Sequence, residues 1–302
     1  MKILLFGRGG QVGWELQRSL GVLGEVVALD FDPAANPDRL CGDFSNLAGL
    51  AETVRRVTPD VIVNAAAHTG VDKAEAEPEL VRTLNALAPG VLATEAKKLG
   101  AWLVHYSTDY VFDGSGSQPW KEDDATGPLS VYGLTKLEGE QLVAACPTHL
   151  IFRTSWVYAA RGGNFAKTML RLAKEREVLT VVNDQVGAPT SAELLADVTA
   201  HALRMVMARP RLAGLYHCAA GGETSWHAYA CYVLEQAREL GWVLKAGPGQ
   251  VATVATADYP TAARRPLNSR LDTTKLRAAF GLLLPQWQVH ARRMLEEITP
   301  AN

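Results

Sequence analysis

Short, mostly apolar runs punctuate the first half of the chain: Ile3 to Phe6, Val26 to Leu29, Val61 to Val63, Trp102 to Tyr106 and Leu150 to Phe152. Runs of this length without alternation are the pattern of strands buried on both faces. Between them the period changes. Val12 to Leu20, Leu47 to Val57, Glu79 to Leu99 and Tyr132 to Ala145 space their apolar residues three and four apart, as amphipathic helices do. Strands interleaved with helices in this way predict an α/β fold, a doubly wound parallel sheet of the Rossmann type with right-handed crossovers.

Beyond about residue 150 the alternation weakens. Phe165 to Lys174, Ala192 to Val206 and Ser225 to Leu240 keep a helical period, whereas Lys245 to Leu271 carries Gly, Pro and few periodic apolar positions. The expected organisation is a dinucleotide-binding domain over residues 1–150, with helices from about 165–207 packing back on it. A smaller C-terminal substrate-binding lobe is expected within 151–302, drawn mostly from 208–302.

Composition narrows the partners. With 48% hydrophobic and 21% charged residues in 302, the chain lies far from the disordered corner. Its 30 Lys and Arg against 32 Asp and Glu give no overall positive field, so nucleic acid is not an expected partner. No stretch is long and apolar enough for a membrane span, and Ile3 to Phe6 is too short for a signal peptide core. Cys41, Cys146, Cys218 and Cys231 form no CxxC pair, which reads as reduced thiols in a cytoplasmic setting.

Candidate chemistry sits at the ends of the predicted strands. After the first comes Gly7-Arg8-Gly9-Gly10-Gln11-Val12-Gly13, leading into a helix. Gly7, Gly10 and Gly13 fit GxxGxxG, a turn in which backbone amides and a helix N-terminus can hold a pyrophosphate. Asp30 closes the second strand, where a carboxylate can accept from an adenosine ribose. That charge favours NADH, whereas Arg8 could offset it for NADPH, and the choice stays open. Asp43 and Phe44 fall where an adenine would lie, and Ala66, Ala67 and His68 follow the third strand with small side chains.

The fourth strand runs into Ser107-Thr108-Asp109, and Tyr132 and Lys136 open a later helix on one shared face. No other tyrosine in the chain has a lysine four residues on. A phenol ordinarily titrates near 10, and a neighbouring ammonium favours its ionised form. Tyr132 could then protonate a carbonyl oxygen as hydride reaches its carbon, with Lys136 supplying the cation and Thr108 holding the same oxygen.

With these residues in order, the chain resembles the extended short-chain dehydrogenase/reductases. The segments Gly7 to Trp14, Gly42 to Asn46, Asp60 to Asp72, Ser107 to Gly114, Arg153 to Tyr158, Asp184 to Thr190 and Arg265 to Leu276 are similar to the dTDP-4-dehydrorhamnose reductase family over nearly the whole length. The resemblance implies reduction of the C4 ketone of dTDP-4-dehydro-6-deoxy-L-mannose to dTDP-L-rhamnose. It assigns Gly10, Gln11, Val12, Asp30, Asp43, Phe44, Ala66, Ala67 and His68 to the cofactor, together with Tyr132 and Lys136. Thr108, Asp109 and Trp156 fall to the sugar, and Asn164 to the diphosphate. Some members dimerise through a magnesium ion held by carboxylates; Glu193 matches one such position, and a Mg2+ site and homodimer follow as expectations, although Arg292 and Arg293 bring positive charge there. Two alternatives remain: a reductase of another dTDP-4-ketosugar, and a non-catalytic nucleotide-binding subunit like the regulatory subunit of methionine adenosyltransferase. A dehydratase would need a glutamate where Tyr110 follows Asp109.

Overall fold

The computed structural model describes residues 1–299. One parallel sheet organises it, made of β1 (Lys2–Phe6), β2 (Glu25–Leu29), β3 (Val61–Asn64), β4 (Trp102–Thr108), β5 (His149–Thr154) and β6 (Gly214–His217). Their order across the sheet is β2, β1, β3, β4, β5, β6. The first five are the strands the apolar runs predict. β6 is not among them, because Gly-Leu-Tyr-His is too short and mixed to stand out; it adds to the edge of the sheet beside β5, from beyond residue 208. The boundary expected near residue 150 falls inside β5.

The long helices are α1 (Gln11–Leu20), α2 (Leu47–Val57), α3 (Ala88–Leu99), α4 (Val131–Ala144), α5 (Phe165–Glu175), α6 (Ala192–Ala208), α7 (Trp226–Glu239) and α8 (Trp287–Ile298). Strand alternation divides them between two layers. Ile3, Leu5, Val61, Val63 and Val104 face Leu16 and Leu20 of α1 and Leu195 of α6. Leu4, Phe6, Ile62 and Leu103 face Leu50 and Val54 of α2 and Leu92 of α3. The central strands therefore carry consecutive apolar residues rather than an alternating pattern, because both faces are covered.

Polar caps start the helices where the sequence places them. Asn46, Ser130, Asn164, Ser191 and Ser225 each accept a backbone N–H from the first turn of α2, α4, α5, α6 and α7. The single helix expected over Glu79 to Leu99 is interrupted. A wide π turn, Thr83–Leu87, separates Pro78–Arg82 from α3 and turns Asn85 into the interior. The segment expected to be irregular from Lys245 contributes Val251–Val254, which pairs in parallel with Leu179–Val182. Among the described residues no helix is long and apolar enough to cross a membrane.

Candidate functional site

The chain leaves β1 for β2 on one side of it and returns to β3 on the other, so the loops after β1 and β3 open onto one crevice at the carboxyl end of the sheet. Glycine makes that crevice. Gly7 has φ +83°, and a Cβ there would stand 2.8 Å from the Ala65 carbonyl carbon and the Ala66 nitrogen. A Cβ on Gly13 would come within 2.0 Å of the Gly7 oxygen, so the third glycine lets α1 press against the turn. No side chain caps α1 at Gly10, and its first turn holds no acidic residue. The amides of Gln11 and Val12 are thus left to an anion. These features fit a dinucleotide diphosphate, and they place Gly7, Gly10, Gln11 and Val12 together.

Asp30 lies against the turn, its Oδ2 only 2.5 Å from where a Gly9 Cβ would be and 4.0 Å from Arg8 Nε. Both side chains are partly exposed. The Asp43 carboxylate accepts from the Ser45 amide and hydroxyl, and the Phe44 ring is buried edge-on against Phe6 at 5.6 Å. Phe44 is thereby committed to the core, which leaves its backbone to the crevice. Past β3, the Ala66 amide donates to Asn64 Oδ1 and the His68 amide to Asn85 Oδ1. Ala66, Ala67 and His68 thus form a strap held from both ends, and Asn85 on the π turn is a residue that the helical pattern concealed.

Asn164 sits at this same end. Its Nδ2 donates to Gln11 Oε1 at 3.2 Å and to the Ala159 carbonyl at 2.7 Å, while its Oδ1 caps α5. The Arg161 guanidinium stacks over Trp14 at 4.0 Å. Residues 159–164 accordingly arch over the glycine turn.

Thr108, Asp109, Tyr132 and Lys136 come together where β4 meets α4. The Thr108 hydroxyl donates to Asp109 Oδ1 at 3.0 Å, accepts from the Tyr110 amide, and lies near Tyr132. Asp109 is buried with Oδ2 unpartnered, and burial pushes its carboxyl up to about 6, opposed by the nearby Ser269 and Thr108 hydroxyls. Lys136 is 2% exposed. Its Nζ donates to the Tyr106 carbonyl at 2.6 Å and lies 3.4 Å from His105 Nε2.

One electrostatic expectation is corrected. Tyr132 is not brought below 10: burial pushes its phenol up to about 12, with Thr108 opposing and Asp109 assisting. In the nucleotide-free protein Lys136 Nζ is turned to the Tyr106 carbonyl. Burial also lowers Lys136 itself to about 8, with Glu140 pulling the other way.

Beside this group opens a cleft of about 620 Å³ lined by Asp72, Tyr110, Gln185, Trp226, Thr256 and Arg265 among others. Tyr110 joins it to the polar group, packing edge-on against Tyr132 at 5.5 Å. Arg265 and Asp72 form a two-point pair at 2.6 and 3.2 Å on its wall, which holds the Asp72 carboxyl below the usual range. Trp226 is the indole that lines the cleft; Trp156 stacks on it at 3.7 Å and has φ +50°. Trp226 and Arg265 went unassigned in the sequence. Their signal was weak, since an aromatic at a helix start and an arginine in an irregular stretch usually mean packing and solvent.

The magnesium expectation finds no support. Glu193 pairs with Arg293 Nε at 3.3 Å, and among the described residues no three His, Cys, Asp or Glu are grouped to hold a metal ion. The carboxylate already has its cation.

Comparison with known proteins agrees with this geometry. Residues 1–299 match the family model described as the RmlD substrate binding domain. The chain is 60% identical over 299 residues to the dTDP-4-dehydrorhamnose reductase of Salmonella typhimurium, covering 99% of this chain and 98% of that protein. Among solved structures, a dTDP-4-dehydrorhamnose reductase from Clostridium acetobutylicum is 36% identical with TM-score 0.85, covering 99% of this chain and 98% of that one. One from Bacillus anthracis in complex with NADP is 32% identical with TM-score 0.85, covering 98% and 99%.

Proposed function

The chain belongs to the dTDP-4-dehydrorhamnose reductase family, and from that membership we infer that it is an oxidoreductase that reduces the C4 ketone of dTDP-4-dehydrorhamnose to dTDP-L-rhamnose with a nicotinamide cofactor. The observation that carries the reading is the junction of a glycine-walled crevice, fit for a dinucleotide, with a hydroxyl pair at the mouth of a second cleft. A reduced nicotinamide bound in the crevice supplies hydride. The protein supplies the rest. Tyr132, held near Thr108, donates a proton to the ketone oxygen, and its high proton affinity in the nucleotide-free protein keeps that proton on the phenol at neutral pH. Thr108, its hydroxyl proton turned from Asp109 Oδ1 to the ligand, orients the same oxygen, and Asp109 offers an unpartnered Oδ2 to a sugar hydroxyl. Trp226, backed by Trp156, forms an aromatic wall suited to an apolar or stacked portion of the ligand, and Arg176 and Arg265 are the cations on the cleft wall for a diphosphate.

NADPH is the proposed cofactor, supported by the Arg8 guanidinium beside Asp30 and by the NADP-bound relative. The exposed Asp30 carboxylate, a natural partner for a ribose diol, favours NADH as the second reading. The free state of all four cysteines supports a cytoplasmic setting. The test is direct: the protein is mixed with NADPH or NADH and the ketosugar made in situ. Oxidation of the nicotinamide, with dTDP-rhamnose as product, is expected; no loss of nicotinamide absorbance with either cofactor rejects the reductase reading.

A further inference from the structure

Beneath the Tyr132 and Lys136 helix runs a buried polar chain whose donors and acceptors do not match if Lys136 is charged. Asn64, at the end of β3, and His105, midway along β4, are register partners, both 1% exposed. The Asn64 amide cannot turn over, because the Ala66 N–H needs Oδ1 as its acceptor at 3.0 Å. Asn64 Nδ2 therefore donates to His105 Nδ1 at 3.0 Å. A neutral His105 must then carry its proton on Nε2, the nitrogen that faces Lys136 Nζ at 3.4 Å. An ammonium at Lys136 would set one N–H against another. An amine resolves the conflict: it donates one N–H to the Tyr106 carbonyl and accepts from His105 Nε2 on its lone pair.

We propose that His105, locked in one tautomer by Asn64, is a positioning residue that biases Lys136 toward the neutral amine. The other charged group reaching Lys136 is Glu140, one turn along α4, which favours the ammonium. Glu140 is itself held by Arg153 of β5 in a two-point pair at 2.9 and 2.7 Å. On the helix side Lys136 shares its face with Tyr132, and on the sheet side it meets Tyr106 and His105. His105 itself is kept well below the ordinary imidazole range by burial and by Lys136, so it does not share the charge. The functional meaning rests on the reductase reading: Lys136 must be an ammonium to stabilise a Tyr132 phenolate, so turnover declines at the alkaline side as Lys136 loses its proton, and His105 sets where.

The titration of Lys136 tests this without turnover. In nucleotide-free protein labelled with 13C-lysine, the Lys136 Cε resonance, assigned by its loss in Lys136→Met, is followed against pH. The wild-type midpoint is expected near 8. His105→Gln offers a carbonyl oxygen to the ammonium without adding charge. Asn64→Asp accepts the ring's Nδ1–H and leaves Nε2 as an acceptor. Each is expected to raise the midpoint by about one pH unit or more, the size of one charge-assisted hydrogen bond, and to move the alkaline limb of kcat with it. A wild-type midpoint at the ordinary lysine value overturns the proposal. So does an unchanged midpoint in folded His105→Gln or Asn64→Asp; if one of these does not fold, the other makes the comparison. Failure to reduce any ketosugar, with these titrations as expected, would reject the reductase reading and leave the role of His105 standing.

Discussion

Tyr132 stands at the meeting of crevice and cleft, with Thr108 nearby and Tyr110 against its ring. Removing its hydroxyl removes the proton and little else, because the edge-on contact is made by the ring. Tyr132→Phe is expected to lower kcat by about 100-fold or more with nucleotide affinity unchanged, measured by steady-state kinetics and nucleotide titration. Arg8 acts at the other end of the crevice. Arg8→Ala is expected to raise KM for NADPH about tenfold and leave that for NADH within about twofold, since a guanidinium can pair with a phosphate that NADH lacks. Asp109 carries a third expectation. Its folded value of about 6 lies above the ordinary carboxyl value, so the stability it contributes is present below pH 4 and is lost as pH rises through 6. Relative to wild type, Asp109→Asn should gain about 3 kcal/mol between pH 4 and pH 7, read from denaturant unfolding at each pH. Parallel curves for the two proteins would show that Asp109 does not titrate in that window.

At the scale of elements, the turn between β1 and α1 depends on close approach. Gly13→Ala places a methyl where the Gly7 oxygen already is, so α1 must shift by more than an ångström. The expected result is a loss of about 1–3 kcal/mol in stability together with loss of nucleotide binding, whereas an equally exposed alanine elsewhere on α1 would cost little. This turn was legible in the sequence because backbone geometry demands glycine there and nothing else substitutes. The buried strands were equally legible, since both faces of the sheet are covered and consecutive positions are mostly apolar. β6 was not, because a short edge strand needs no apolar run. Trp226 was not, because its role comes from stacking on Trp156, a partner 70 residues away in sequence, which no local pattern encodes. The surroundings of Lys136 were not legible for a related reason: spacing put it on the face of Tyr132, and only the fold shows its Nζ donating to the Tyr106 carbonyl.

For the molecule as a whole, acid stability is governed by buried imidazoles as much as by carboxylates. His217 on β6 is 0% exposed, its Nδ1–H bonded to the Trp120 carbonyl, and burial with Arg153 nearby brings it down to about 3. Its unfolded value is near 6.5, so the stability it contributes is whole above that pH and drains away as pH falls toward 3. His217→Gln, which can keep the bond to Trp120, is expected to show a shallower decline across that window in denaturant unfolding; identical slopes would place the acid sensitivity elsewhere. Through His217 and Trp120, the edge of the sheet is tied to the loop that precedes α4, so acid loosens that margin first.

The crevice described above is defined by side chains that are missing. At Gly7, Gly9 and Gly13 an added methyl meets backbone or carboxylate oxygen within 3 Å. At Gly7 and Gly13 the obstacle is main chain, so any replacement adds matter that no second side-chain change can subtract, whereas at Gly9 it is the Asp30 side chain, which can move. In a library of single substitutions Gly7 and Gly13 should reject every amino acid alike, regardless of polarity or charge. The cleft beside them, built from Tyr110, Arg265 and Trp226, should respond in grades that follow size and chemistry. Descendants of this sequence are therefore free to alter which sugar they accept long before they can alter how they hold a dinucleotide.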